Sequence, residues 1–183
     1  LVGFVNRFRH RDGSYRWLEW NACRAGDEIF ANARDITESR QIEEANTRLA
    51  MAVEQAAETI IITDTQGSIL YVNPAFEQTS GYGRHEVLGK NPRLLKSGKQ
   101  DAAFYRGMWE VLRSGRVWQG HFSNRRKNGS LYEEEATISP IRDASGRIVN
   151  YVAVKRDVTR ERHLEGQLRQ AQKMEVVGRL AGG

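Results

Sequence analysis

The apolar positions of the chain fall into short runs with strand period and longer stretches with helical period. Residues 38–57 hold no Gly or Pro and are rich in Ala, Glu, Gln and Arg, a helix by propensity. Within them Ile42, Leu49 and Ala56 recur at heptad spacing, with Ala45 and Ala52 between, giving a thin seam for a second helix. Ile60–Asp64 is a β-branched run, Gln66-Gly67 a turn, and Ile69–Asn73 a second strand. Asn73-Pro74 supplies an N-cap followed by proline at the first helical position, which starts a short helix through Ala75 and Phe76. Gly81, Gly83 and Gly89 divide the next stretch into short turns. From Asp101 to Ser114, Phe104, Met108, Val111 and Leu112 mark the buried face of a longer helix, which Gly115 ends. Three strands follow, Val117–Lys127, Ser130–Arg142 and Arg147–Asp157. In the middle one Tyr132, Ala136 and Ile138 share one face. A last helix begins near Arg160 and carries Leu164, Leu168, Ala171, Val177 and Leu180. Met174 and Val176 blur its register.

Two strands, short helices, one longer helix and three strands specify an α+β fold. A five-stranded antiparallel sheet with helices on one face satisfies that order, and a sheet curled over short helices leaves a hollow where small ligands bind. The last part of this pattern occurs twice. Residues 7–37 and 125–159 each run from a basic strand through a turn (Asp12-Gly13, Asn128-Gly129) to an aromatic-containing strand. Each then passes a second turn to a strand closing on Asp-Ile-Thr or Asp-Val-Thr. The closing threonines lie further apart than the turn glycines, so the second copy has the longer final hairpin. The organisation expected is residues 1–37 as the closing strands of a truncated first copy and 38–57 as a helical linker. Residues 58–159 then form a complete domain, and 160–183 an output helix.

Composition removes several function classes. The net charge of +5 is modest, and its densest run, Arg125-Arg126-Lys127, abuts the Asn128-Gly129 turn, which reads as a solvated hairpin tip rather than a nucleic-acid surface. Cys23 is the single cysteine, and His10, His85, His121 and His163 are scattered, so neither a disulfide nor a metal site is expected. No run approaches the roughly 18 apolar residues that cross a bilayer. The chain is therefore expected in the cytoplasm, with any membrane segment of the parent protein upstream. A phosphate-binding loop and a nucleophile–base pair are also lacking, so the chain itself is not read as an enzyme.

The stretch Asp64-Thr65-Gln66-Gly67-Ser68-Ile69-Leu70-Tyr71-Val72-Asn73-Pro74-Ala75-Phe76 resembles a PAS domain. Gly81-Tyr82, Glu86-Val87-Leu88-Gly89-Lys90-Asn91, Trp118-Gln119-Gly120, Asn128-Gly129 and Asp157-Val158-Thr159 extend the resemblance over residues 57–159. A partial second match covers residues 4–37. Gln167 through Gly183 resembles the start of the dimerisation and phosphoacceptor helix of sensor histidine kinases. In that family the acceptor histidine follows a few residues beyond this point, so the resemblance implies a non-catalytic segment of a histidine kinase.

What the resemblance implies for function is twofold. Asp157 and Thr159, with Asp35 and Thr37 upstream, take the places that couple the sheet to the outgoing helix. Thr159 would N-cap that helix and Asp157 would fix the strand-to-helix angle. The flanking helices would pair in a homodimer, and the parent kinase would signal to a response regulator. For the ligand, flavin-binding light sensors of this superfamily carry Asn-Cys-Arg where this chain has Asn91-Pro92-Arg93, so Pro92 excludes a cysteinyl adduct. A closer similarity, from Gly89 to Trp109 and from Trp118 to Lys127, is to FAD-binding redox sensors of nitrogen fixation or methane oxidation. It implies Trp118 and Asn124 near an isoalloxazine ring, with Asn91 and Arg93 as further contacts. A haem would have only His85 as axial candidate. The competing reading is a structural dimerisation and spacer module with an empty core.

Overall fold

The structure, a computed structural model, describes the backbone of residues 2–181 and the side chains of residues 3–174. The chain divides into two compact units, the division falling after Ala52.

The first unit is an antiparallel meander of β1 (Val2–Arg9), β2 (Tyr15–Ala25) and β3 (Glu28–Asp35), followed by most of helix α1 (Thr37–Glu54). Phe4 stacks on Trp20 at 6.0 Å between centroids. Phe4, Phe8, Ile29 and Phe30 are largely exposed, so this sheet buries little of its apolar surface within its own unit. Helix α1 stops before Ala56, so the expected seam keeps Ile42 and Leu49, both exposed, and loses Ala56.

The second unit contains β4 (Thr59–Asp64), β5 (Ile69–Val72), α2 (Pro74–Ser80), α3 (Arg84–Val87), a 3-10 turn (Pro92–Leu95) and α4 (Ala102–Arg113). After these come β6 (Trp118–Arg125), β7 (Leu131–Arg142), β8 (Ile148–Asp157) and α5 (Thr159–Ala181). The sheet order is β5-β4-β8-β7-β6, antiparallel throughout, so the first and last strands of the domain pair at its centre. Between β5 and α4 the glycine-rich segment forms one more helix than expected, α3, as well as the 3-10 turn. Both are short pieces whose ends are fixed by side chains. Glu86 accepts from the Gly83 N–H (2.9 Å) and Asn91 from the Arg93 N–H (3.0 Å).

The core lies between the sheet and these helices. Ile61, Ile69, Val72, Phe76, Val87, Leu95 and Leu112 are essentially removed from water, each large apolar side chain contributing about 1.5–3 kcal/mol relative to exposure. Asn73 is fully buried with both ends of its amide satisfied. Its Oδ1 accepts from the Ile60 N–H (2.9 Å) and, as the N-cap of α2, from the Phe76 N–H (3.2 Å), while its Nδ2 donates to the Glu58 carbonyl (2.9 Å). The Asn-Pro pair thus starts a helix and ties it to β4.

Helix α5 leaves the sheet. Residues 160–174 are exposed, including Leu164, Leu168 and Met174, so the helix is not folded back on its own domain. The side chains of Val176, Val177 and Leu180 lie outside the described residues.

Candidate functional site

A cavity of about 300 Å³ opens between the sheet and the segment from the 3-10 turn to α4, at the lower end of the size range for small-molecule pockets. Helix α4 forms one wall because Tyr105, Met108, Trp109 and Leu112 recur at helical spacing on its inner face. The other wall is built from inward positions of the strands: Ile61 and Thr63 on β4, Phe122 and Asn124 on β6, Ile138 on β7, and Tyr151, Ala153 and Lys155 on β8. Aromatic contacts line it. Trp109 meets Tyr151 edge-on at 5.5 Å, and Tyr105 lies roughly parallel to Phe122 at 6.3 Å. Burial pushes the Tyr105 phenol above its ordinary range. At the mouth the Lys96 ammonium sits 3.4 Å from the Tyr105 ring centre, and the Arg113 guanidinium 5.7 Å from that of Trp109.

Asn91, Arg93 and Asn124 line the cavity; Trp118 does not. Trp118 packs beside the cavity in a cluster with Phe104 (5.6 Å) and Phe122 (5.1 Å), its ring so close to Gly120 that a Cβ there would lie 2.5 Å from it. Asn91 is committed to structure at both ends, donating to the Gly67 carbonyl (2.9 Å) while capping the 3-10 turn. The exposed His85 is not among the lining residues.

At the far end of the cavity is a cluster that the sequence pattern does not single out. The Lys155 ammonium pairs with the Glu134 carboxylate at 3.0 Å, the two side chains being 7% and 1% exposed. The Asn124 amide donates to the same Glu134 oxygen at 2.7 Å, and the Lys155 ammonium lies 4.9 Å from the centre of the Phe122 ring. Strand alternation held the signal. Glu134 falls between Tyr132 and Ala136 on the inward face of β7, and Lys155 continues the Tyr151–Ala153 series of β8. Ala136 is the Cα partner of Lys155, which brings the two charges together across neighbouring strands.

One residue along β7 the strand holds the root of α5. The Glu133 carbonyl accepts from the Val158 N–H (2.9 Å), and the Glu133 N–H donates to the Thr159 hydroxyl (2.9 Å). Asp157 accepts from the Thr159 N–H (2.9 Å) and from its hydroxyl, and its other oxygen pairs with Arg126 at 2.7 Å. Thr159 was expected as the N-cap. It is instead the first helical residue, because Val158 already accepts the first helical bond, from the Arg162 N–H (2.9 Å). The threonine hydroxyl is thereby free to grip the strand. Burial works to raise the Asp157 pKa, but the Thr159 and Arg126 bonds outweigh it and hold the carboxyl below the usual range.

The first unit repeats this junction. The Trp17 N–H donates to the Thr37 hydroxyl (2.8 Å), the Ile36 N–H to the Trp17 carbonyl (2.9 Å), and the Thr37 N–H to Asp35 (2.9 Å). Asp35, hydrogen-bonded by Thr37, also sits below its ordinary pKa.

Among the described residues no helix is long and apolar enough to cross a membrane, and no cluster of His, Cys, Asp and Glu has the makings of a metal site.

Comparison with known proteins places this geometry. Residues 57–160 match the PAS domain family. Over 117 residues, 64% of this chain, it is 38% identical to a nitrogen fixation regulatory protein of Klebsiella oxytoca, of which the match spans 24%. Over 134 residues, 73% of this chain, it is 30% identical to the hybrid signal transduction histidine kinase L of Dictyostelium discoideum, of which the match spans 8%. Among solved structures, a light-oxygen-voltage domain studied with a flavin analogue aligns with 69% of this chain and 96% of its own, at TM-score 0.57 and 28% identity. The light-oxygen-voltage domain of a blue-light activated histidine kinase from Erythrobacter litoralis aligns with 57% of this chain and 99% of its own, at TM-score 0.53 and 25% identity. Because the family match spans more than half of its length, the chain belongs to the PAS-domain family as a sensory domain homologous to regulatory and kinase sensor domains.

Proposed function

We propose that this chain is the sensing and relay segment of a sensor histidine kinase, in which the state of the cavity sets the packing of a paired α5 helix. The observation that carries the reading is the adjacency of Glu134 and Glu133. Glu134 sits in the buried cluster at the end of the cavity, and its neighbour holds Val158 and Thr159 through both of its backbone groups. A ligand that moves the Lys155–Glu134 cluster therefore moves the strand that anchors the helix.

The exposed Leu164 and Leu168, and upstream Ile42 and Leu49, are the surfaces through which two copies would pair as a cytoplasmic homodimer. A weakly apolar seam of this kind tolerates two packings, as a switch requires. The paired helices would carry the signal to the kinase core of the parent protein and from there to its response regulator.

The ligand proposed for the cavity is a flavin. Trp109, Tyr105 and Phe122 supply aromatic faces, and Asn124 and Lys155 supply polar groups at the inner end. Arg93 would meet a charged arm at the mouth, and a bound flavin would supply a ring whose charge changes with its redox state.

Asp157→Ala in the full-length kinase tests the relay. It is expected to abolish the dependence of phosphorylation on the signal while the domain stays folded by NMR. Signal-dependent phosphorylation at the wild-type level would refute the proposal. A purified protein with no flavin absorption, no extractable ligand and an unresponsive α5 would instead favour the spacer function.

A further inference from the structure

We infer that the inner end of the cavity is an anion seat, and that Lys155 selects a flat aromatic ligand whose buried edge carries negative charge. The inference rests on the reading of the cavity as the sensing site and names the class of ligand it takes. Lys155 is buried and faces the cavity, yet among the described residues only Glu134 accepts from its ammonium group, at 3.0 Å. An ammonium has three N–H donors, and the side nearest Phe122 meets a ring face at 4.9 Å rather than an acceptor. The donors that the protein leaves over are available to a ligand oxygen, which would displace cavity water from them.

Glu134 does not line the cavity; it stands behind Lys155 and Asn124. A ligand therefore meets the cation first, with the carboxylate further off. The remaining charged groups along the cavity, Arg93, Lys96 and Arg113, are also basic, and no carboxylate lines it among the described residues. A ligand thus passes basic groups at the mouth and meets the ammonium end of the Lys155–Glu134 pair at the floor, and at low local dielectric that polarity favours an anion over its neutral isostere. Asn124 helps by position. One of its two amide N–H groups donates to Glu134, which leaves the other N–H and the carbonyl oxygen for a ligand edge. The pair fits a ring edge with an oxyanion or carbonyl next to an N–H.

The test compares two probes of equal shape, 2-naphthoate and 2-naphthamide, whose dissociation constants for the 183-residue chain are measured by equilibrium dialysis. The carboxylate is expected to bind roughly tenfold tighter or better, as a charge-assisted bond on a buried cation should give. Removing Lys155 alone leaves Glu134 without its partner and risks unfolding, so the floor is neutralised with the double variant Glu134→Leu/Lys155→Met. In that variant the preference should fall to about threefold or less, while in Arg93→Gln/Lys96→Gln it should persist. Equal affinity of the two probes, no binding of either, a preference surviving in the floor variant, or a preference lost in the mouth variant would each overturn the assignment. Failure here with an intact response to Asp157→Ala would sink the anion seat and leave the relay standing.

Discussion

Replacing Lys155 with Met isolates the energetics of the buried cluster. The Lys155–Glu134 pair lies at 3.0 Å with side-chain exposures of 7% and 1%. At an effective dielectric constant near 20, the attraction at that distance is about 5–6 kcal/mol. Desolvation of the two ions cancels most of it, so the intact pair contributes little relative to a well-packed apolar pair. Breaking it is another matter. Met at 155 keeps the packing volume but leaves the Glu134 carboxylate without a cation in a dry site, which costs about 3–5 kcal/mol. The Asn124 amide still donates to Glu134 at 2.7 Å, which argues for the lower end, about 3 kcal/mol, or roughly a hundredfold in the folding equilibrium. Urea unfolding followed through the NMR signals of β7 and β8 measures this without interference from the first unit. The double variant Glu134→Leu/Lys155→Met should return to within about 1 kcal/mol of wild type or exceed it. A loss below about 1 kcal/mol in Lys155→Met would mean that Glu134 is wet, and the reasoning about the cluster would fail.

Two further outcomes follow from the helix root and the output helix. Because the folded-state pKa of Asp157 is depressed, its stabilising contribution is fully present above the unfolded carboxylate value of about 3.9 and is lost as pH falls through the lowered folded value. The stability difference between wild type and Asp157→Asn should therefore be largest near neutrality and shrink in acid; a difference that grows in acid contradicts the assignment. Leu164→Glu/Leu168→Glu places like charges on the exposed seam of α5, and sedimentation of the chain should shift from dimer to monomer with the domain still folded. A dimer unaffected by the pair would move the interface elsewhere.

Much of the fold was legible because the local signals agree with one another. The Asn73-Pro74 pair predicts a helix start, and Asn73 does cap α2, though it also bonds Ile60 on β4 and Glu58 just before it, a long-range role that no local pattern reveals. The helix expected from Asp101 to Ser114 matches α4 with Asp101 as its N-cap. The sequence between Gly81 and Leu95 predicts only turns, because pieces of four residues leave no periodicity to detect. The repeat at the helix roots was also readable, down to the matching threonines, and the structure supplies the reason. In each unit the threonine hydroxyl accepts a strand N–H, from Trp17 or from Glu133. Strand period alone did not expose the Lys155–Glu134 pair, since charged residues at inward positions look like breaks in the pattern until the register sets them side by side. Trp118 illustrates the opposite limit. It lies on the same face of β6 as Asn124, yet the strand carries it past the edge of the cavity and into the aromatic cluster.

The central claim is that the cavity and the root of α5 are mechanically one object. Amide hydrogen exchange at Glu133, Val158 and Thr159, whose N–H groups hold or lie within the junction, measures that directly when the cavity floor is altered by Lys155→Met. Exchange at these three amides should accelerate at least about tenfold, beyond that of the Ile69 amide on the far side of the domain, corresponding to about 1.4 kcal/mol of added local opening. Junction amides that exchange at the wild-type rate, or only in step with Ile69, would contradict the account.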